Sequence, residues 1–210
     1  MKILDIGANN GDYAKNLCRG DTVVVAVEPD PSIVPDLAGY PNIVWERTAV
    51  SDHVGFGTLH LSNSGSVLNS MNPDWLSRGR FQEDGNGSTV EVPTTTIDAL
   101  WNAYGGFDHI KIDVEGYENI VMLGMTSAHP CSIQFEWACE WVNEVTIPAL
   151  RHLVSLGYSK FAVLSGEKDQ HDFDPYNLPE EHITHDEVLN RIHSACQGNH
   201  EAWGMILVQG

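Results

Sequence analysis

"DIGANNGDYA", residues 5–14, is a glycine-rich turn between a short apolar run, "KILDIG" at 2–7, and a helical pattern, "GDYAKNLCRG" at 11–20. Strand, turn and helix in that order begin a nucleotide-binding unit, in which the backbone of the turn meets the ligand. Further along, valine- and isoleucine-rich runs alternate with helical patterns. The predicted strands are "TVVVAVE" at 22–28, "NIVWERTAV" at 42–50, "FDHIKID" at 107–113, "CSIQFEW" at 131–137, "SKFAVLS" at 159–165 and "WGMILVQ" at 203–209. That alternation is the habit of a mostly parallel sheet covered by helices, an α/β Rossmann-like domain. Thr95 and Asp98 stand at capping-box spacing and predict a helix start, as do Thr184 and Glu187. "EGYENIVMLG" and "NEVTIPALRHLVSLG" carry helical apolar spacing and stop at Gly124 and Gly157.

Two stretches interrupt the alternation. Residues 54–92 read as an inserted β-hairpin, "GFGTLHLS" and "STVEVP", around a polar loop containing "NSGSVLNSMNP" and "EDGNGS". Residues 166–183 form a second polar, turn-rich loop. Long loops at the carboxyl ends of strands are where such sheets keep their sites.

Composition narrows the function. The length of 210 residues suits one domain, 1–210, without metal or disulfide staples. Twenty-nine acidic against eleven basic side chains give a net charge of −18, which repels nucleic acid and anionic membranes. Cys18, Cys131, Cys139 and Cys196 show no CxxC spacing and read as free, mostly buried thiols of a reducing compartment. No run is long enough to span a membrane, and Met1 leads directly into a strand, so a soluble cytoplasmic protein is expected.

The turn also specifies its ligand. A dinucleotide fingerprint requires G-x-G-x-x-G, whereas Gly7 is followed by three residues and then Gly11, with Asn9 in place of the middle glycine. Glycine at both positions leaves room for a ligand at the backbone. Asp5, at the strand end before the turn, opposes a pyrophosphate and suits an ammonium group. Glu28 ends the second strand, twenty-one residues beyond Gly7, where its two oxygens can accept from both hydroxyls of a ribose. Ser51 and Asp52 end the third strand, within reach of the amino edge of an adenine. Adenosine with an amino-acid tail and no phosphate is S-adenosylmethionine. A nicotinamide cofactor is disfavoured by the missing glycine.

The motifs "LDIGANNGDYA", "VEPDP", "AVSD", "VPTTTIDAL" and "IKIDVEGYE" follow one another in a way that resembles the FkbM family of S-adenosylmethionine-dependent methyltransferases, over residues 3 to about 140. The resemblance implies a class I methyltransferase fold, seven-stranded with the last strand antiparallel, and O-methylation of a sugar-like or natural-product hydroxyl. By matching position, Asp5, Gly7, Asn9 and Gly11 would line the methionine moiety, Glu28 the ribose and Asp52 the adenine. The chain starts at the first strand, so the helices that often precede it and help close the site must be replaced from elsewhere or by a partner copy.

"HIKIDVEGYE" adds Lys111, Asp113 and Glu115 at a strand end facing the same crevice, and Glu136 arrives from the next strand. Lys111 reads as a buried charge partner of these carboxylates. Methyl transfer to a hydroxyl needs positioning and one proton acceptor. Asp113 is assigned to forming the site and touching the cofactor, Glu115 or Glu136 to the base, with His53 a weaker candidate. A metal-free reaction is favoured, although three carboxylates could hold Mg²⁺. His171, His182, His185, His193 and His200 lack the spacing of a zinc set. Ser66, Asn69 and Trp75 suit a sugar as well as they suit a loop anchored by one tryptophan, while Trp137 and Trp141, four apart, would share a helical face if their segment is helical and read as packing rather than a ligand platform. Nitrogen or carboxyl methylation, or a cofactor-binding subunit that needs a partner, are the alternatives.

Overall fold

β-branched runs that cannot bury both faces alone pair into one sheet, and the computed structural model describes residues 1–77, 86–166 and 172–209 of it and its surroundings. The elements are β1 (Lys2–Ile6), α1 (Asp12–Leu17), β2 (Val23–Val27), β3 (Ile43–Glu46), β4 (Ala49–Val50), β5 (Gly55–Ser62), β6 (Asn86–Thr95), α2 (Ile97–Tyr104), β7 (His109–Ile112), α3 (Glu118–Leu123), β8 (Ser132–Ala138), α4 (Ile147–Ser155), β9 (Lys160–Ser165), α5 (His185–Gly198) and β10 (Trp203–Gln209). Seven strands pair in the order β3-β2-β1-β7-β8-β10-β9. β10 runs antiparallel to both its neighbours and the other pairings are parallel, as expected from the sequence. The order reverses between β1 and β7, which opens a crevice at their carboxyl ends.

The two faces of the sheet differ. One carries Leu4, Ile6, Ile110, Ile112, Ile133, Phe135, Ile206 and Val208, and packs under side chains of α2, α3, α4 and α5 in the main core. On the other, Ile3, Val24 and Ala26 pack with Ala14 and Leu17 of α1 in a smaller cluster. Beyond it runs a buried polar row, because Asp5, Lys111 and Gln134 are register partners on neighbouring strands. The segment from Asp172 to Tyr176 is pinned there by polar bonds. Gln134 Nε2 donates to Asp172 at 3.1 Å, the Phe173 amide donates to Gln134 Oε1 at 3.0 Å, and Tyr176 Oη donates to the Leu17 carbonyl at 2.6 Å.

The inserted hairpin is present as the antiparallel pair β5 and β6, joined by β4 in a separate three-stranded sheet. Residues 78–85, which include part of the "EDGNGS" stretch, lie outside the described residues, as does His171. "NIVWERTAV" is two strands rather than one. After Glu46 the chain leaves β2, and Ala49 and Val50 pair instead with Thr94 and Thr95. That pairing also moves the cap of α2. With Thr94 and Thr95 in the β6 ladder, Thr96 becomes the N-cap and accepts from the Ala99 amide at 3.1 Å. Asp98 then binds Thr126 and His129. Thr184 caps α5 as expected, accepting from the Glu187 amide at 3.3 Å.

One side-chain expectation is corrected, and two open ones are decided. Cys139 and Cys196 form a disulfide, Cα to Cα 5.6 Å across a separation of 57 residues, so two of the four cysteines are not free thiols. Trp137 and Trp141 are packing residues, as their spacing suggested, although not on a shared helix. β8 continues through Ala138, which sends Trp137 into the main core, and Trp141 follows in a tight turn. Trp75 is only 1 % exposed and packs against Trp141 with ring centroids 5.7 Å apart, so it anchors its loop and presents no stacking surface to a ligand. Among the described residues no helix is long and apolar enough to cross a membrane.

Candidate active site

The glycine turn is built by backbone contact. Gly7 has φ +82°, and a Cβ there would lie 1.8 Å from the carbonyl oxygen of Asp113. Its role is therefore to let the turn after β1 touch the turn after β7, a stronger constraint than leaving room for a ligand. Gly11, at φ +79°, starts α1 with its open side filled by Trp45, Leu37 and Pro35. It too is required by conformation and packing, not by a gap held for the ligand. Gly7 and Ala8 donate their amides to the Val27 carbonyl at 3.0 and 3.1 Å. Asn9, at φ 45°, donates its amide to Glu28 Oε2 at 2.9 Å, and Glu28 Oε1 accepts from the Asp30 amide at 2.8 Å. Burial pushes the Glu28 carboxyl up to about 6, with those two amides opposing the rise. Each oxygen retains a lone pair for a further donor.

Above this turn lies a cavity of about 160 Å³, with Val27, Pro29, Val50, Leu59 and Met71 among its apolar walls. The connector after β5 roofs it. Ser66, Asn69 and Ser70 line the cavity from that side, and Asn69 Nδ2 donates to Asp30 Oδ2 at 2.7 Å, latching roof to floor. Gly7, Asn9 and Glu28 line it as well. Asp5, Gly11, Ser51 and Asp52 do not: the lining on that side ends at Val50. Ser51 is buried with its hydroxyl 3.3 Å from Tyr117 Oη, and Asp52 stands at the surface 2.7 Å from His53 Nδ1. The charged groups lining the cavity are all carboxylates, Glu28, Asp113 and Glu115, and among the described residues no lysine, arginine or histidine lines it. Such a wall suits a cationic ligand rich in hydroxyl donors and repels phosphate.

Asp113, Glu115 and Glu136 converge, each offering a carboxylate oxygen within 4.8 Å of the others. Lys111 Nζ donates to Asp113 Oδ2 at 2.9 Å and stands 4.8 Å from the centre of the Tyr13 ring, so a protein cation already occupies one side of the group. Burial works against the charge on Lys111, but Asp113, Asp5 and Asp172 around it outweigh that and raise its pKa. Asp5 is fully buried, and among the described residues neither of its oxygens has a hydrogen-bond partner. Burial pushes its carboxyl up to about 6 against the opposing pull of Lys111. Tyr13, Gln134 and Asp172 complete this polar group and carry no sequence signal. Ser66 and Asn69, which the sequence offers for a sugar-like acceptor, line the cavity.

Buried carboxyls give a definite pH dependence. Asp5 and Glu28 are raised to about 6, and Glu118, buried in the first turn of α3, to about 7. Each takes up a proton in the native state before the unfolded chain does, so each adds stability as pH falls through those values. His109, lowered by burial to about 4, has the opposite sign below about 6.5. Three groups against one give a gain of about 2 kcal/mol, or about 5 °C in Tm, between pH 8 and about 5.5. Calorimetric scans at those two values check it, and a Tm that is flat or falls toward pH 5.5 would contradict the assignment.

No curated protein matches the chain. Its fold is similar to a crystal structure of precorrin-6y C5,15-methyltransferase from Geobacter metallireducens GS-15, at TM-score 0.45 and 13 % identity over 100 % of this chain and 81 % of that one. It is also similar to a putative methyltransferase from Thermoplasma acidophilum, at TM-score 0.41 and 9 % identity over 100 % and 67 % of the two chains. The Methyltransferase FkbM domain matches residues 5–153, from the end of β1 through most of α4 and thus across the glycine turn, the roof and the carboxylate group. The chain belongs to the FkbM methyltransferase family.

Proposed function

We propose that the chain transfers a methyl group from S-adenosylmethionine to a hydroxyl of a small, sugar-like or natural-product acceptor. The observation that carries this reading is the cavity at the carboxyl ends of β1, β2 and β7, whose charged lining groups are Glu28, Asp113 and Glu115. When bound, S-adenosylmethionine supplies a methyl group on a positively charged sulfur. Glu28 accepts from the ribose hydroxyls with the lone pairs that Asn9 and Asp30 leave open. Gly7 and Asn9, the turn residues that line the cavity, hold the methionine end, and the apolar wall from Val27 to Val50 faces the adenine. Asp113, paired with Lys111, forms the wall between cofactor and acceptor, and Glu115 or Glu136 takes the proton from the attacking hydroxyl.

The overall charge of −18 argues against nucleic acid and anionic membranes as partners and for a small-molecule acceptor. Completion of the site by a second copy of the chain remains part of the reading. The cytoplasmic setting expected from free thiols loses that support with the Cys139–Cys196 bond, so no compartment is proposed.

Titration calorimetry with S-adenosylhomocysteine and, separately, NAD tests the cofactor. Binding of the first alone is expected, weakened by on the order of tenfold in Glu28→Ala through loss of charged hydrogen bonds; binding of NAD, or of neither, overturns the reading. Methyl transfer by Glu115→Gln and by Glu136→Gln tests the base. One of the two is expected to lose on the order of 10²-fold in rate with S-adenosylhomocysteine affinity kept. Full activity in both removes the carboxylate base.

A further inference from the structure

Glu118 opens α3 at the end of "IKIDVEGYE" and is 2 % exposed. An acidic residue in the first turn of a helix ordinarily faces water and the positive end of the helix dipole. This one turns back under the loop that carries Asp113 and Glu115. Its Oε1 accepts from the Val114 amide at 3.1 Å, and the nearby amides of Glu118 itself and of Gly116 also favour the charged carboxylate against burial. The carbonyls of the loop are held from the other side by the hairpin connector. Ser70 Oγ donates to the Glu115 carbonyl at 2.6 Å and Asn72 Nδ2 to the Gly116 carbonyl at 2.9 Å. Between these two sets of bonds Glu115 adopts φ 56° and Gly116 φ 82°. A residue other than glycine holds that left-handed conformation only when its surroundings impose it.

Trp75 closes the loop from below. A Cβ on Gly116 would lie 2.2 Å from its ring, so the backbone cannot relax in that direction. Asp113 and Glu115 meanwhile line the cavity. The carboxylate of Glu118 thus holds the Val114 amide of a loop whose two other acids line the cavity.

We propose that Glu118 is a positioning residue of the methyltransferase site: by holding the Val114 amide from beneath, opposite the Ser70 and Asn72 bonds, it imposes the left-handed turn at Glu115 that presents Asp113 and Glu115 to the cavity. This rests on the reading that those two carboxylates take part in methyl transfer. Glutamine keeps an oxygen acceptor at the same reach, whereas alanine leaves buried amides without a partner.

The test measures amide hydrogen exchange at Val114 and Gly116, S-adenosylhomocysteine affinity and Tm in the wild type, Glu118→Gln and Glu118→Ala. Glu118→Ala, folded by circular dichroism, is expected to exchange these amides at least tenfold faster and to bind about tenfold more weakly, with Glu118→Gln restoring both to within about threefold. A Tm loss shared by both variants with affinity and exchange unchanged would mean plain core packing and overturn the proposal. If the alanine variant does not fold, Glu118→Asp, one methylene too short to reach Val114, is read in the same way. If the wild type does not bind S-adenosylhomocysteine, the cofactor reading fails by itself and exchange at the two amides alone decides the role of Glu118.

Discussion

The contact between Gly7 and the carbonyl of Asp113 governs the rest of the site. A Cβ would stand 1.8 Å from that oxygen, so the turn after β1 and the turn after β7 meet backbone to backbone. Everything that surrounds the cavity follows from the approach. The Asp113 amide bonds the Ile6 carbonyl at 3.0 Å, the Gly7 amide bonds Val27, and Asn9 is carried to Glu28. The two signature stretches of the chain are thereby one structural unit, more than one hundred residues apart in sequence.

The second constraint is electrostatic. A chain of net charge −18 keeps several of its acids inside, and each pays in desolvation. Asp5 has no hydrogen-bond partner among the described residues, and Lys111 is the cation that opposes the rise that burial imposes on it. Lys111 in turn is divided between Asp5, Asp113 and Asp172, with the Tyr13 ring against it. Groups left in so poor a balance are the ones a cationic ligand can improve, which is where sites and stability part company. α2 to α5 cover the apolar face and the short α1 lies on the other, so this polar row is closed by Tyr13 of α1 and by the Asp172–Tyr176 segment through side-chain hydrogen bonds.

Much of this was legible in the sequence because it depends on local periodicity. The strands and their alternation with helices follow from patterns of a few residues, the antiparallel last strand is implied only by the family resemblance, and the convergence of Asp113, Glu115 and Glu136 follows from strand ends meeting at one edge. What stayed hidden depends on distant partners. Three successive threonines could each cap α2, and only the pairing of β4 with β6 selects Thr96. Cys139 and Cys196 pair because α5 returns to the end of β8, which no spacing announces. Asn69 roofs the cavity through Asp30, thirty-nine residues away. Glu118 looks in sequence like any acid in the first turn of a helix, and its burial depends on a loop that bends back over it.

A crystal structure of the chain soaked with S-adenosylhomocysteine tests the central claim most directly. The account requires the ribose on Glu28, the amino-acid end beside Gly7 and Asn9, and the Ser66–Met71 connector closed over the nucleoside. A ligand bound elsewhere, or a cavity that stays empty at saturating concentration, would contradict it.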